Sequence, residues 1–283
     1  MNAIKTTFLM TSLTLLFLFV GKSLGGQQGM QLAFILAIGM NFFSYWFSDK
    51  LVLKMYRAKE VTSVEAPQLY SIVRNLAQKA QMPMPKVYVI ENPTPNAFAT
   101  GRNPKHAAVA VTTGILNILS NEELSGVIGH ELGHVRHRDI LISTIAATFA
   151  GAITMLAHMA RWSFMFSGSR SDEDRPHPIV FLIMSMVAPI AAMLIQMAVS
   201  RSREYEADKA GAELCGNPMY LARALAKLER GAEAMPMDAQ PTTAHMFIVN
   251  PLRAGGVMTL FRTHPSTEDR IQRLQAMTMG HAA

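Results

Sequence analysis

Cysteine and charge are both scarce in this sequence. Cys215 is the single cysteine among 283 residues, which excludes an intrachain disulfide framework and favours a reducing compartment. Charged residues make up 16% of the chain, whereas soluble domains carry about 25%. Hydrophobic residues make up 50% of the chain, so the composition excludes a simple soluble globule.

The basic residues form no nucleic-acid-binding pattern. The formal net charge of +6 would suit an acidic partner, but the Lys and Arg residues lie in no aromatic-interleaved patch. Many of them flank uncharged apolar runs, as they do in membrane proteins. We therefore expect contact with a lipid bilayer and none with nucleic acid.

Two apolar runs near the N-terminus predict an anchoring hairpin over residues 1–49. They cover about residues 6–24 and 30–48, and a bilayer span needs about 20 residues. Residues 25–29 form a Gly/Gln turn between them. The first run also resembles a signal peptide, but no small-residue cleavage site follows it.

Two further apolar runs lie within residues 140–200, at about 140–160 and 177–199. They are interpreted either as two more spans of a multi-pass membrane protein or as a buried helical hairpin. In both interpretations the chain emerges on the side where it entered.

The distribution of Lys and Arg predicts the orientation. Basic residues follow the second run at Lys50 and the fourth run at Arg201. Because cytoplasmic loops of membrane proteins carry the excess of such residues, we expect both termini and the segments 50–139 and 201–283 to be cytoplasmic.

Residues 50–139 predict a small β-sheet laid against helices, within a mainly α-helical fold. The pair Thr62 and Glu65 forms a capping-box pattern that predicts a helix to about Gln81. Strands are predicted at 86–90, 97–100 and 107–112. The edge at residues 96–100 fits a strand that binds an extended peptide and fits an ordinary hairpin equally well.

Residues 130–134 read His-Glu-Leu-Gly-His, the pattern H-E-x-x-H. On a helix the two histidines lie on one face and can bind one metal ion, while Glu131 can activate a water molecule beside it. Ser120 and Glu123 form a second capping-box pattern, which predicts that a helix starts before the motif. The pattern is therefore typical of a zinc peptidase.

Two histidines leave a catalytic zinc ion one protein ligand short. A length argument favours Glu204. If the third and fourth apolar runs are antiparallel helices, His134 and Glu204 lie ~9 Å and ~6 Å from the apolar boundary. The residues considered as third ligand are His137, Asp139, Glu204, Glu206, Asp208 and His264.

The remaining candidates are assigned other roles. Asp208 follows Glu204 by one helical turn, so we expect it to accept the free ring N–H of a ligating histidine. His137 and Asp139 are expected to share the helix of His134, and helix neighbours this close rarely converge on one ion. Glu206 is interpreted as an exposed carboxylate.

Together these features resemble the HtpX family of bacterial membrane zinc metalloproteases, relatives of the Ste24 prenyl-protein proteases. The resemblance extends over nearly the whole chain. It rests on residues 96–101, 129–134, 202–208, 264–266 and 270–271, together with the paired apolar runs.

The resemblance implies a zincin-type, gluzincin-like protease domain with one Zn²⁺ per subunit. His130, His134 and Glu204 would bind the zinc ion, and Glu131 would act as catalytic acid and base. His264 would lie at the active site and stabilise the oxyanion, and Arg270 is expected to pair with Asp208 or another nearby acid. The substrate cleft would be lined by Asn96, Ala97, Phe98 and Ala99.

The family role implies an endopeptidase that degrades misfolded or damaged membrane proteins at the cytoplasmic face of the bacterial inner membrane. Its expected partners are membrane-protein or unfolded polypeptide substrates, with functional overlap with other membrane proteases. Two alternatives remain: a membrane scaffold with a structural metal site, and a prenyl-peptide-type protease.

Overall fold

The structure is a computed structural model that describes residues 2–145, 201–234, 246–249 and 265–280. Within these ranges the chain is mainly helical, with one four-stranded mixed sheet. The predicted fold class of α-helices with a small sheet is confirmed to that extent. Residues 140–145 of the apolar helix predicted at 140–160 are helical, while the rest of that helix, the helix predicted at 177–199 and His264 lie outside the described residues.

The N-terminal helix α1, Asn2–Met55, turns back on itself near Gly26. Gly26 has a φ of +58°, in the left-handed region that glycine adopts without strain. The Asn41 Nδ2 atom lies 2.9 Å from Thr14 Oγ1, across 27 residues of sequence. A straight helix of that length would hold the two residues about 40 Å apart, so the two apolar runs lie side by side.

Among the described residues, one helical segment is long and apolar enough to cross a membrane, Gly26–Phe47. Only 17% of its most apolar stretch is buried, so the segment is not the core helix of a compact domain. Exposed apolar side chains of this density are typical of a surface that contacts a membrane or another protein. They include Leu32, Phe34, Ile35, Leu36, Ile38, Phe42 and Phe43.

The sheet contains β1 (Lys59–Glu60), β2 (Lys86–Ile90), β3 (Ala97–Gly101) and β4 (Ala107–Thr112), in the order β1-β2-β4-β3. Strands β2 and β4 are parallel, and the other two neighbouring pairs are antiparallel. The three predicted strands are confirmed to within one residue. β3 is an edge strand of this sheet, as the sequence suggested.

Helix α2 (Pro67–Lys79) lies between β1 and β2, and helices α3 (Thr113–Ile118) and α4 (Asn121–His137) follow β4. The helix predicted from residue 62 was placed too early. Thr62 and Glu65 do exchange the capping hydrogen bonds, but they close a turn. The helix begins at Pro67, whose fixed φ and missing N–H suit the first helical position.

Helices α5 (Arg201–Cys215), α6 (Pro218–Ala234) and α7 (Thr267–Gly280) complete the described fold. α4 packs most extensively against α5 and α6, and also against β3. The sheet is covered on both faces: Val109 and Val111 pack in the helical core, while Phe98 and Ala110 pack with Val52 at the end of α1. This arrangement places the edge strand β3 directly beside the middle of α4.

Candidate metal centre

The H-E-x-x-H motif lies on α4, and a capping box fixes where that helix begins. Ser120 Oγ accepts the Glu123 backbone N–H at 3.3 Å, and Glu123 Oε2 accepts the Ser120 N–H at 2.9 Å. Lys227 of α6 donates to the same carboxylate at 2.7 Å. The predicted helix start at Ser120 is thus confirmed, which sets His130 and His134 on one face.

Three potential metal donors meet at this face. The Nε2 atoms of His130 and His134 lie 3.1 Å apart. Glu204, from the first turn of α5, places its carboxylate oxygens 3.8 Å from His130 Nε2 and 3.5 Å from His134 Nε2. The structure therefore brings together the three residues that the sequence selected as metal ligands.

The geometry and chemistry of this donor set fit zinc. Tetrahedral zinc with Zn–N distances of about 2.0–2.1 Å separates two nitrogen ligands by about 3.3 Å, close to the separation of the two Nε2 atoms. Two imidazoles and one carboxylate also match a catalytic zinc site, in which a fourth position stays open for water or substrate.

Small residues let α4 and α5 approach closely enough for Glu204 to reach the histidines. A Cβ atom on Gly211 would lie 2.7 Å from the His130 backbone nitrogen, and one on Gly129 would lie 2.9 Å from the Gly211 oxygen. Larger residues at these positions would push the helices apart. Helix packing therefore explains the glycines at positions 129 and 211.

His130 is held from behind by Asp208 and Arg270. Its Nδ1 atom lies 2.8 Å from Asp208 Oδ1, and Arg270 donates to both Asp208 oxygens at 2.7 and 2.9 Å. All three side chains are buried. An Nδ1–H donated to Asp208 leaves the Nε2 lone pair directed at the metal position.

The electrostatics of this group agree with a neutral, ligating imidazole. Burial lowers the pKa of His130 to about 4, although the Asp208 carboxylate opposes that shift. Burial would raise the pKa of Asp208, but the Arg270 guanidinium and the His130 hydrogen bond hold it well below its usual range. The expected pairing of Arg270 with Asp208 is present in the structure.

His134 has a corresponding carboxylate, which the sequence analysis did not identify. Its Nδ1 atom lies 3.5 Å from Asp139 Oδ2, and Arg203 Nη1 lies 3.4 Å from Asp139 Oδ1. Burial would lower the pKa of His134, but Glu204 and Asp139 raise it to about 9. The expectation that Asp139 continues the helix of His134 is wrong, because that helix ends at His137.

Glu131 lies between the metal ligands and the edge strand. Its Oε2 atom accepts a hydrogen bond from the Ala99 backbone N–H at 2.8 Å, and its side chain is buried. Burial raises the pKa of Glu131 to about 8, a shift that the nearby Glu204 charge reinforces. The carboxyl group thus stands next to both the metal position and β3.

Part of the β3 edge is occupied by the chain itself. Ile248 donates its backbone N–H to the Ala97 oxygen at 3.2 Å, and Asn96 Nδ2 donates to the Val249 oxygen at 2.9 Å. The Ala97 N–H donates a hydrogen bond to the Asn96 Oδ1 atom at 3.1 Å. The Asn96 side chain and the Ala97 carbonyl therefore bind residues 246–249, and the next outward N–H, that of Ala99, is bonded to Glu131.

The Phe98 side chain lies on the sheet face away from the metal ligands. It is fully buried and packs against Tyr56 and Phe247, with ring centroids 5.9 and 5.3 Å away. Side chains alternate between the faces of a strand, so Ala97 and Ala99 share the α4 side. Among the predicted cleft residues, Ala99 is therefore the one beside Glu131.

Comparisons with known proteins show the family to which this chain belongs. Residues 63–278 match the family described as Peptidase family M48. The chain is 62% identical to a protein named Protease HtpX homolog from Thermodesulfovibrio yellowstonii, covering 98% of this chain and 99% of that protein. It is 58% identical to a protein of the same name from Methylibium petroleiphilum, with 98% of each chain covered.

A solved structure shares the fold. The crystal structure of S. mikatae Ste24p superposes with a TM-score of 0.54 at 17% sequence identity. The match covers 96% of this chain and 65% of that one, so the chain spans about two thirds of the Ste24p length.

Proposed function

Because this chain belongs to peptidase family M48, a family of metalloproteases that hydrolyse peptide bonds, we propose that it is a membrane-bound zinc endopeptidase of polypeptides at the membrane surface. The observation that carries the proposal is the convergence of His130, His134 and Glu204 beside Glu131. The apolar surface of Gly26–Phe47 supports membrane attachment.

His130, His134 and Glu204 would hold the zinc ion through Nε2, Nε2 and a carboxylate oxygen. A zinc ion bound there would act as a Lewis acid and lower the pKa of water toward 7. Within the part of the chain that the structure describes, three protein ligands converge, and three ligands would leave a position open; this favours catalysis over the structural-metal alternative, since structural zinc sites use four protein ligands.

Glu131 is the proton carrier in this proposal. Its carboxyl group takes a proton from the attacking water and returns it to the leaving amine. The raised pKa of about 8 suits a group that must both accept and donate a proton near neutral pH. The Ala99 hydrogen bond orients one carboxylate oxygen and leaves the other for the water.

We propose that substrate binds as an extended strand along β3 from Ala99 outward. In the antiparallel pair of β3 and β4, every second residue of β3 forms its backbone hydrogen bonds with β4. The bond from the Thr112 N–H to the Asn96 oxygen shows that Asn96 is one of these residues. The backbone groups of Ala97, Ala99 and Gly101 therefore point away from β4. The Ala97 oxygen is already bonded to Ile248 and the Ala99 N–H to Glu131, so in this proposal the substrate pairs with the Ala99 carbonyl and with the backbone of Gly101.

The substrates that fit this position are polypeptides in, or emerging from, a bilayer. The end of α1 packs against the face of the sheet that carries Phe98, so the edge strand stays close to the membrane helix. Arg102, just after β3, lies over the Trp46 ring at 4.4 Å, and Trp is typical of membrane–water interfaces. We propose quality control of misfolded membrane proteins as the role, with both termini on the cytoplasmic side.

Replacement of Glu131 by Gln tests the function directly. We expect the variant to bind zinc as the wild-type protein does and to cleave a model unfolded polypeptide at least 10²-fold more slowly, the usual worth of acid–base catalysis. Cleavage by purified Glu131→Gln protein at the wild-type rate would overturn the mechanism. X-ray absorption that finds four protein ligands on the zinc would overturn the peptidase itself.

The same variant identifies substrates. An inactive protease that still binds polypeptides retains them during purification, so Glu131→Gln protein isolated from membranes should carry bound membrane proteins. A matched sample of the wild-type protein provides the background. Recovery of soluble proteins alone would contradict the proposed substrate class.

A further inference from the structure

Each imidazole of the candidate zinc site has its own carboxylate and its own arginine behind it. Behind His130 stand Asp208 and Arg270, with contacts of 2.7 to 2.9 Å. Behind His134 stand Asp139 and Arg203, with contacts of 3.5 and 3.4 Å. The order of groups, guanidinium to carboxylate to Nδ1, is the same on both sides.

An interruption of the helix at Arg138 brings the Asp139 side chain close to His134. On a continuous α-helix a residue five positions further on points about 140° away from the first. Arg138 instead adopts the left-handed conformation, with φ of 60° and ψ of 32°, and ends α4. The chain then resumes as a helix at residue 139, displaced so that the Asp139 carboxylate faces the Nδ1 side of His134.

The left-handed Arg138 is a local strain at this point of the chain. A non-glycine residue in this region costs about 1–2 kcal/mol, and such costs persist where the surrounding contacts require them. Here the contact that the turn creates is Asp139 against His134. Asp139 is 3% exposed, so its charge is held away from solvent and needs a partner.

Arg203 supplies that partner from a different helix. It is 7% exposed and reaches Asp139 from α5, one residue before the metal ligand Glu204. A buried guanidinium beside the carboxylate stabilises its negative charge and limits its rotation. The pair therefore links the end of α4 to the start of α5 immediately behind two of the three metal ligands.

We propose that Asp139 and Arg203 are positioning residues for His134. The Asp139 carboxylate lies 3.5 Å from the Nδ1 atom of His134 and favours a proton on that nitrogen, which directs the Nε2 lone pair toward the metal, and Arg203 orients Asp139. This inference rests on the proposed zinc site and adds two residues that support it. Neither residue contacts the metal or the substrate.

Zinc affinity, measured by competition with a chelator, tests the inference in the full chain in detergent or lipid nanodiscs. We expect Asp139→Asn to weaken zinc binding by about 10–100-fold, the usual effect of losing a carboxylate behind a ligating histidine. Arg203→Met should weaken it less. Because Arg203 acts through Asp139, the double variant should bind zinc as weakly as Asp139→Asn alone.

A spectroscopic measurement separates positioning from general stability. Co²⁺ in place of zinc reports the geometry of its ligands, so the visible absorption bands of the Asp139→Asn complex should differ from those of wild type. Glu60 and Lys86 provide the control, an exposed ion pair between β1 and β2 at 2.9 Å. Glu60→Gln and Lys86→Met should leave the affinity and the bands unchanged.

The outcomes are distinct. Wild-type affinity and wild-type Co²⁺ bands in Asp139→Asn would overturn the inference and leave the proposed function intact. Absence of zinc binding by the wild-type protein, with no effect of His134→Ala, would overturn the proposed function and this role of Asp139 with it. If Asp139→Asn does not fold, Arg203→Met provides the test, and wild-type affinity with wild-type Co²⁺ bands in that variant would overturn the inference.

Discussion

The backbone N–H of Ala99 donates a 2.8 Å hydrogen bond to Glu131 Oε2. This bond joins the edge strand β3 to the proton carrier of the proposed reaction. The same strand is where we place the substrate, so substrate and carboxyl group are aligned by one segment of backbone. The sheet therefore fixes the distance between the proposed substrate position and Glu131.

Removal of this N–H should reduce catalysis without loss of zinc. Ala99→Pro deletes the donor at an outward-facing position of an edge strand, where proline is tolerated. We expect kcat to fall by about 10-fold or more, which corresponds to the loss of roughly 1.4 kcal/mol of transition-state stabilisation. Zinc content and melting temperature serve as internal controls.

Thr100→Pro is the contrasting variant for that experiment. Its N–H points toward β4 in the alternation of the antiparallel pair, so proline there removes a ladder hydrogen bond. We expect this variant to lose stability as well as activity. Equal activity of Ala99→Pro and wild type would show that the Glu131 contact is dispensable.

Zinc binding should release a proton near neutral pH. In the metal-free protein Glu204 and Asp139 outweigh burial and raise the pKa of His134 to about 9, so this imidazole is protonated at pH 7. Zinc requires the neutral form. Raising the pH below 9 removes the competing proton, so zinc affinity should rise about tenfold per pH unit between pH 6 and 8.

Calorimetric titration in two buffers of different ionisation enthalpy counts that proton. At least one proton per zinc at pH 7 is the expected result, since the pKa of Glu131 is also raised. A zinc affinity that stays constant between pH 6 and 8 would contradict the raised pKa of His134. His134→Ala should remove the pH dependence that this residue causes.

Substitution of Gly211 should separate α4 from α5. A Cβ atom there would lie 2.7 Å from the His130 backbone nitrogen, which is too close for a real contact. We expect Gly211→Ala to lower the free energy of unfolding by about 1–3 kcal/mol and to weaken zinc binding. Gly39→Ala is the control, since nothing lies within 4 Å of a Cβ atom at that position.

Thermal unfolding and chelator competition on the two glycine variants give the comparison. Because alanine favours helix over glycine by about 1 kcal/mol, Gly39→Ala should be neutral or slightly stabilising. Identical behaviour of the two variants would mean that the α4–α5 spacing is not limited by Gly211.

Loss of the Phe247 ring should release residues 246–249 from the edge of β3. The ring is fully buried and lies edge-on to Tyr56 and Phe98, with centroids 5.1 and 5.3 Å away. We expect Phe247→Ala to lower the unfolding free energy by about 3–5 kcal/mol. Hydrogen exchange of the Ile248 N–H should also accelerate, since its bond to Ala97 depends on this docking.

Val64→Ala provides the exposed control for that measurement. Val64 is 87% exposed, so its truncation should change stability by less than about 0.5 kcal/mol. Slow Ile248 exchange in Phe247→Ala would indicate that the Asn96 and Arg270 contacts to this segment suffice by themselves.

Local pattern explains what the sequence predicted well. The strand at 107–112 and the capping box at Ser120 depend on neighbouring residues, and their bounds are those of the structure. His130 and His134 follow from helical periodicity. Glu204 was reached by assuming that two helices run antiparallel, which needs only the rise per residue.

The features that sequence analysis missed depend on single backbone angles or distant contacts. Asp139 was dismissed because a helix was assumed to continue through Arg138, and nothing in the residue type Arg indicates a left-handed conformation. The covered edge at Asn96 arises from a contact with Val249, 153 residues away. The periodicity and spacing of residues do not reveal a contact between residues so far apart in the sequence.

The contact of Arg270 with His130 joins residues that are 140 positions apart in the sequence. During synthesis the ribosome delivers the two motif histidines long before Glu204, Arg203 and Arg270. Because chains begin to fold from the N-terminus as they emerge, α4 is synthesised before the helices α5 and α7 against which it packs. A nascent chain therefore holds an incomplete metal site, and the order of translation keeps this peptidase latent until α5 and α7 have been made.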